Sequence, residues 1–140
     1  MFLSAMQTLI EIETQGRGFH QITAQLSRIV RNGDVAQGVC HVFLPHTSAS
    51  LILCENADPD VLVDMERWMS ELVQDGHRRF THRAEGPDDM AAHVRSVLTG
   101  SALSLPIVAG ELELGTWQGA YLWEHRHHSH RRRLRITLLA

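Results

Sequence analysis

The segment between residues 82 and 93 carries side chains whose types and spacing favour chemistry. Asp89 and His93 are four residues apart, so a helix would place both on one face. A carboxylate beside an imidazole is the pattern that orients a metal-binding or acid/base histidine. His82 lies in the polar stretch before this helix and could converge on the pair. The alternative is structural, with Asp88 or Asp89 capping the helix and His93 partly buried with its hydrogen bonds satisfied.

Residues 45–50 form a second candidate segment, with one imidazole and three hydroxyl groups between two strand-like runs. His46, Thr47 and Ser48 could donate hydrogen bonds to a phosphate, and their neighbours are small enough for backbone amides to approach the anion. The segment lacks the glycines and the lysine of a P-loop. Such a sequence is equally typical of an ordinary Ser/Thr turn.

Three other polar segments are open to either interpretation. Glu55 and Asn56 follow an apolar strand, where side chains often project into a site. Gln118 belongs to a Gly-Thr-Trp-Gln-Gly segment, which indicates a close backbone approach to a ligand or a bulge beside a core Trp. The basic, histidine-rich residues 125–133 are predicted to be mostly a solvated loop, in which Arg126 could add positive charge for a phosphate.

Composition excludes several classes of protein. The 140 residues are 44% hydrophobic and 21% charged, which predicts one soluble domain over residues 1–140 rather than a disordered or membrane protein. A formal net charge of −3 argues against a general nucleic-acid binder. The start of the chain, from Met1 to Met6, does not resemble a secretory signal. Cys40 and Cys54 lie in apolar runs without CxxC spacing, so we expect reduced core thiols in a cytoplasmic protein.

Hydrophobic periodicity predicts an α+β fold, because helices fall between groups of strands instead of alternating with them. Strands are predicted at residues 7–14, 35–44, 50–54, 102–108, 111–115, 120–125 and 134–139, with a hairpin turn at Ala109-Gly110. Helices are predicted near residues 22–30, at 58–73 and at about 88–98. The apolar stripe expected on the second helix is Val61, Leu62, Met65, Trp68, Met69 and Leu72, and the inward residues expected on the third are Met90, Val94, Val97 and Leu98.

Several short stretches together resemble the YjbQ family of small bacterial and archaeal proteins. They span nearly the whole chain in one order, and no single stretch among them would be specific. The stretches are Gly18-Phe19-His20, His46-Thr47-Ser48-Ala49-Ser50-Leu51, Glu55-Asn56-Ala57-Asp58-Pro59, Asp64-Met65-Glu66-Arg67, Glu85-Gly86-Pro87-Asp88-Asp89-Met90, His93, Gly115-Thr116-Trp117-Gln118-Gly119 and Glu124-His125-Arg126.

The resemblance implies a single YjbQ-like α+β domain with a large antiparallel-rich sheet, typically assembled as a homotrimer. It also implies a polar site containing His46, His82 and His93, where family members can hold a metal or an anion. Thiamine phosphate synthase activity is attributed to the family. That transferase reaction joins a hydroxymethylpyrimidine diphosphate to a thiazole phosphate and releases diphosphate. This chain departs from the family in residues 127–130, which are richer in histidine.

The resulting hypothesis is a transferase-like site for a phosphorylated small-molecule substrate, without a nucleic-acid or membrane partner. His46, Thr47 and Ser48 would stabilise the departing diphosphate. His82 and His93 would be protonated or would hold a divalent metal such as Mg²⁺ or Zn²⁺.

The remaining candidate residues have positioning or substrate-binding roles in this hypothesis. Asp89 would orient His93, Glu55 and Asn56 would hydrogen-bond the aminopyrimidine, and Gln118 would line the pocket. Two alternatives stay open: a metal-assisted enzyme acting on another phosphorylated metabolite, and a non-catalytic trimer that binds a metal or an anion. The same residues serve binding and catalysis, so the sequence does not separate these alternatives.

Overall fold

The computed structural model describes residues 4–140 and contains eight strands and three helices. The strands are β1 (Ala5–Glu13), β2 (Gly18–Gln21), β3 (Gly38–Phe43), β4 (Ala49–Glu55), β5 (Ala102–Val108), β6 (Glu111–Leu112), β7 (Gln118–Glu124) and β8 (Arg131–Leu139). The helices are α1 (Thr23–Asn32), α2 (Pro59–Leu72) and α3 (Asp89–Thr99). Met1, Phe2 and Leu3, on which part of the prediction about a secretory signal rests, lie outside the described residues. Within residues 4–140, no helix has the length and apolar character needed to cross a bilayer.

The strands form two antiparallel sheets, which confirms the predicted α+β class. One sheet has the order β1-β8-β3-β5-β6 and the other the order β2-β7-β4. The predicted hairpin between β5 and β6 is confirmed: Ala109 and Gly110 have φ values of 51° and 79°. Tight two-residue turns of this kind need positive φ at both positions.

The main core collects inward-facing side chains from both sheets and from α1. Cys40 is buried within it, Cys54 is half-buried, and both thiols are unpaired. Because β3 and β4 belong to different sheets, residues 44–48 cross from one sheet to the other. This crossing places residues 46–48 beside the start of β8 on one side and beside α3 on the other.

Helix α2 begins as the sequence predicts but does not bury the predicted face. The Asp58 carboxylate accepts a hydrogen bond of 2.9 Å from the Asp60 amide, and Pro59 occupies the first turn. Of the predicted stripe only Met69 is buried, whereas Trp68 is 72% exposed and Leu72 is 64% exposed. Met65, Trp68 and Leu72 therefore leave part of the stripe uncovered as an apolar surface.

Helix α3 follows the prediction only in part: Val94 packs against a core cluster and Met90 is half-buried, whereas the other two predicted residues face outward. Val97 is 87% exposed and Leu98 58% exposed, so the prediction that both face inward is wrong. The buried side chains of α3 are Asp89, Ala91, Ala92 and Arg95. Two charged residues can face inward here because each has a charged partner distant in sequence: Arg95 pairs with Glu66 on α2, and Asp89 with Arg126 in the loop after β7.

Candidate metal-binding site

Three side chains meet at the start of α3 in a cluster that we call the His–Asp–His cluster: His82, Asp89 and His93. One carboxylate oxygen of Asp89, Oδ2, lies 2.7 Å from Nε2 of His82 and 3.0 Å from Nε2 of His93. One donor atom from each residue lies within 4.8 Å of the others. The Asp89 side chain is 3% exposed, and the two imidazoles lie at the surface with 44% and 31% exposed.

The hydrogen bonds of His93 indicate that a positive charge, either a proton on Nε2 or a cation, lies between its ring and the Asp89 carboxylate. Nδ1 of His93 lies 2.9 Å from the backbone carbonyl oxygen of Thr47, which can only accept, so Nδ1 carries a proton. A neutral His93 would then present the Nε2 lone pair to a carboxylate oxygen, which is repulsive. Either His93 is an imidazolium, or a cation lies between Nε2 and Oδ2.

The spacing of the donor atoms suits a divalent metal. Metal–nitrogen and metal–oxygen distances of about 2.0–2.2 Å in a tetrahedral zinc site place neighbouring donors about 3.3 Å apart. The two observed separations, 2.7 Å and 3.0 Å, need only a small widening to reach that value. Two imidazoles and one carboxylate would leave at least one coordination position for water or substrate.

Arg126 holds the carboxylate of this cluster in place. Its Nη1 donates to the other oxygen of Asp89, Oδ1, at 2.8 Å, its Nε donates to Asp88 at 3.0 Å, and its Nη2 donates to the Glu85 carbonyl. Burial alone would raise the pKa of Asp89, but the hydrogen bond from His82 and the charges of His93 and Arg126 lower it. Asp89 is therefore ionised, with Oδ2 directed at both imidazoles.

Asp88 supports the site rather than capping α3. Its side chain makes no cap hydrogen bond and accepts instead from Arg126 and from the backbone amide of His127 at 2.9 Å. Burial opposes ionisation of Asp88, but these bonds outweigh it and lower its pKa to about 2. Asp88 thus occupies the N-cap position without capping the helix through its side chain, and three of the five N–H groups of Arg126 are engaged by protein oxygens.

His46 does not join the His–Asp–His cluster, contrary to the expectation that it shares a metal with His82 and His93. Its Nε2 accepts a hydrogen bond of 2.9 Å from the backbone amide of Arg133. Burial, followed by the charges of Arg132 and Arg133, lowers the pKa of His46. Among residues 4–140 the clustered donors are those named above, without His46. The imidazole instead extends the hydrogen bonding of β8 beyond its pairing with β3, which ends at Phe43.

Thr47 and Ser48 have different environments. Thr47 is exposed and contacts the cluster through its backbone carbonyl. Ser48 is buried, and its hydroxyl oxygen and carbonyl oxygen both accept hydrogen bonds from Arg132. The Ser48 hydroxyl oxygen is therefore engaged inside the protein by Arg132, and its role in binding a substrate phosphate stays a prediction.

Glu55, Asn56 and Gln118 lie away from the cluster. In the β4–β7 register Glu55 pairs with Gln118, whereas the opposite end of β4 pairs with Glu124 next to the site. Six residues of strand separate the two ends by about 20 Å. The Asn56 amide donates to the Gln118 carbonyl, and the Gln118 side chain accepts from the Gly115 amide. Within one chain these residues therefore form a second polar group, separate from the His–Asp–His cluster, and the substrate-binding role of Glu55 stays a prediction.

A buried polar network behind the cluster was not predicted. His125, predicted where a strand at 120–125 meets a mostly solvated loop at 125–133, is fully buried: its Nδ1 accepts from Arg95 Nε at 3.0 Å, and its Nε2 lies 2.6 Å from the Ser50 hydroxyl. Arg95 also donates to Glu66, which accepts from the Trp123 indole. The network links α2 and α3 to β4 and β7. The only hint in the sequence is that His125 directly follows a strongly apolar strand.

His125 should make the stability of the fold sensitive to acid. Burial, with the charge of Arg95, lowers the pKa of His125 from its ordinary value of 6.5 to about 2. The folded pKa is below the unfolded one, so the contribution is fully present above pH 6.5 and falls as the pH decreases from 6.5 towards 2, by about 1.4 kcal/mol per pH unit. We expect H125Q, whose amide can keep both hydrogen bonds, to reduce the slope of unfolding free energy between pH 6.5 and 4.5 by about that amount.

Urea unfolding at a series of pH values measures this slope. The exposed His128 provides the control, because H128Q removes an imidazole without touching the network. An unchanged slope in H125Q would contradict the assignment of a neutral buried His125.

The sequence of the chain is similar to those of several known proteins. A family model described as UPF0047 protein YjbQ-like matches residues 8–140. A UPF0047 protein from Synechocystis sp. is 49% identical over 126 residues, which cover 90% of this chain and 86% of that protein. UPF0047 protein YjbQ of Escherichia coli O157:H7 is 42% identical over 133 residues, covering 94% of this chain and 96% of its own.

Solved structures show the same fold. A YbjQ-like protein of unknown function from Sulfolobus solfataricus superposes with a TM-score of 0.89 at 21% identity and covers 99% of both chains. An uncharacterised YjbQ/UPF0047 protein from Clostridium acetobutylicum superposes with a TM-score of 0.81 at 29% identity, again over 99% of both chains. None of these four descriptions names a substrate or a reaction.

Proposed function

Since the chain belongs to the UPF0047 family of YjbQ-like proteins, a family of unknown function, we propose from its own geometry that the His–Asp–His cluster binds a divalent metal and acts on a phosphorylated small molecule. One observation carries the proposal: Nδ1 of His93 donates to the Thr47 carbonyl while Nε2 faces the ionised Asp89 at 3.0 Å. A metal ion in this position would satisfy both the lone pair and the carboxylate.

The donor set favours Zn²⁺ over Mg²⁺. Two imidazole nitrogens and one carboxylate oxygen are a common catalytic zinc set, whereas Mg²⁺ prefers oxygen ligands alone. A bound metal would act as a Lewis acid on phosphate oxygens. The chain's own residues have supporting roles: Thr47 fixes the ring of His93, and Arg126 fixes Asp89.

The specific reaction that we propose is thiamine phosphate synthesis. The thiazole nitrogen attacks the pyrimidine methylene carbon, the C–O bond to the diphosphate breaks, and the diphosphate leaves with the electron pair. The site would have to bind both substrates side by side and neutralise the diphosphate charge as it develops. His82, which is 44% exposed at the edge of the cluster, is the imidazole best placed to meet a ligand from solvent.

We expect H82A to lower thiamine phosphate formation from the two purified precursors by about 10²–10³-fold, the usual loss when a positioned charge-stabilising group is removed. Initial rates with Zn²⁺ or Mg²⁺, followed by chromatographic detection of thiamine phosphate, measure this. H128A is the matched control, since His128 is exposed in the loop after β7.

A rate for H82A within about threefold of the wild type would contradict the role of His82. Stoichiometric metal without any thiamine phosphate formation would instead favour a metal-assisted reaction on another phosphorylated metabolite. Ligand affinity without turnover would favour the non-catalytic binding trimer.

Assembly and location complete the proposal. The exposed apolar residues of α2 and α3, among them Trp68 and Val97, need cover, and a homotrimer would provide it. Sedimentation equilibrium measures the assembly directly.

The two unpaired cysteines are consistent with a reducing, cytoplasmic location, which fractionation of cells would test.

A further inference from the structure

The loop between α2 and α3 lines an open cavity beside the His–Asp–His cluster. The cavity has a volume of about 250 Å³, and His82 belongs to both its wall and the cluster. The ring of Phe80 and the ring of Pro87 give the wall an apolar part, and His77 and Arg83 give it a polar part. A small, mostly apolar space with a few polar groups is the usual form of a ligand pocket.

The polar groups of this cavity are donors. Nδ1 of His77 accepts a hydrogen bond of 3.1 Å from the Arg79 amide, so the proton of a neutral His77 is on Nε2. Arg83 donates through Nε and Nη2 to the carbonyls of Phe80 and Arg78, and within residues 4–140 its Nη1 has no hydrogen-bond partner. Both side chains can therefore donate to an anion.

The surrounding charge is positive. Residues 77–83 contain three arginines and two histidines and no acidic residue. Three nearby carboxylates are already paired: Asp75 with Arg17 and His127, and both Asp88 and Asp89 with Arg126. Glu85, exposed in the same loop, is the exception. Residues 77–87 thus carry three arginines against one carboxylate, so an anion entering the cavity meets a net positive charge.

We propose that this cavity binds a phosphate ester of a single small aromatic ring, with the ring against Phe80 and the phosphate towards Arg83 and His77. The proposal rests on the function proposed above, because His82 would place this ligand next to the metal. The volume favours a small ligand: about 250 Å³ is below the usual 300–1,000 Å³ of ligand pockets and accommodates one ring with its phosphate.

The experiment uses phenyl phosphate, inorganic phosphate and phenol as probes, titrated by calorimetry into the full chain with and without Zn²⁺. In the metal-free protein we expect phenyl phosphate to bind at least tenfold more tightly than inorganic phosphate or phenol. F80L should weaken phenyl phosphate about fivefold and leave inorganic phosphate within twofold. R83Q should weaken both phosphates about tenfold or more.

Matched controls are F43L and R28Q, which make the same changes at exposed positions of β3 and α1. Far-ultraviolet circular dichroism checks that the loop variants stay folded. If R83Q does not fold, H77Q takes its place as the polar variant. The absence of phenyl phosphate binding, or affinities that F80L and both polar variants leave unchanged, would overturn the proposal. If only the proposed metal site is wrong, phenyl phosphate will still bind the metal-free protein, and adding Zn²⁺ will leave its affinity unchanged.

Discussion

Replacing Asp89 by Asn should lower the affinity of the protein for Zn²⁺ by at least about 100-fold. This loss is larger than that expected for a residue that only hydrogen-bonds to a metal ligand. Asp89 supplies the only carboxylate of the His–Asp–His cluster among the described residues, and its Oδ2 lies within 3.0 Å of both imidazoles. An asparagine removes the negative charge, and its amide can donate to the unprotonated nitrogen of His93. The side chains would then be satisfied without a cation.

Competition with a chromophoric chelator measures the zinc affinity. D64N is the control, because Asp64 is an exposed carboxylate on α2. An unchanged affinity in D89N would show that the metal is not held here. If the wild type itself binds no divalent metal, the positive charge between His93 and Asp89 is an imidazolium, and the site is an acid/base site rather than a metal site.

The role of Arg126 connects this prediction to the rest of the fold. Its guanidinium bridges Asp88 and Asp89, and it lies in the loop after β7, so the orientation of the cluster depends on that loop. Arg126 contacts neither imidazole nor the proposed ligand pocket. It is a positioning residue, and its loss would displace Asp89 rather than remove a ligand.

Local features of the fold could be predicted from the sequence because short segments determine them. Asp58-Pro59 sets the start of α2, and Ala109-Gly110 sets the turn between β5 and β6. Each depends on side-chain chemistry within a few residues. The spacing of Asp89 and His93 on one helical face is likewise local, and these two residues do meet in the cluster.

The charged part of the inward face of α3 could not be predicted because it depends on partners distant in sequence. Asp89 is held by Arg126, 37 residues later, and Arg95 by His125, 30 residues later. Hydrophobic periodicity assigns charged residues to the solvent-facing side of a helix. It contains no information about pairing with residues distant in sequence. The same limit applies to His46, whose neighbour Thr47 contacts the cluster while its own ring reaches β8.

Replacing Arg132 by Met should destabilise the fold by about 3–5 kcal/mol, because it leaves the fully buried carboxylate of Glu124 without its positive partner. Arg132 Nε donates to Glu124 at 2.9 Å, and Nη2 donates to Glu124 and Ser48. Arg132 lies on β8 and Glu124 on β7, so the pair joins the two sheets next to the crossing at residues 44–48. A loss of this size corresponds to a fall in Tm of roughly 10–15 °C.

The matched control is R131M at the neighbouring exposed position, where the ion pair with Glu13 at 3.1 Å is worth at most about 1 kcal/mol. Adding E124Q to R132M should recover most of the lost stability, since the penalty comes from the unpaired charge rather than from the missing bond. Urea unfolding of the wild type, R132M, E124Q and the double variant completes the cycle, with R131M measured beside it. If R132M loses no more than R131M, or if E124Q restores nothing, the carboxylate is not a buried charge that depends on Arg132, and another contact must join the sheets.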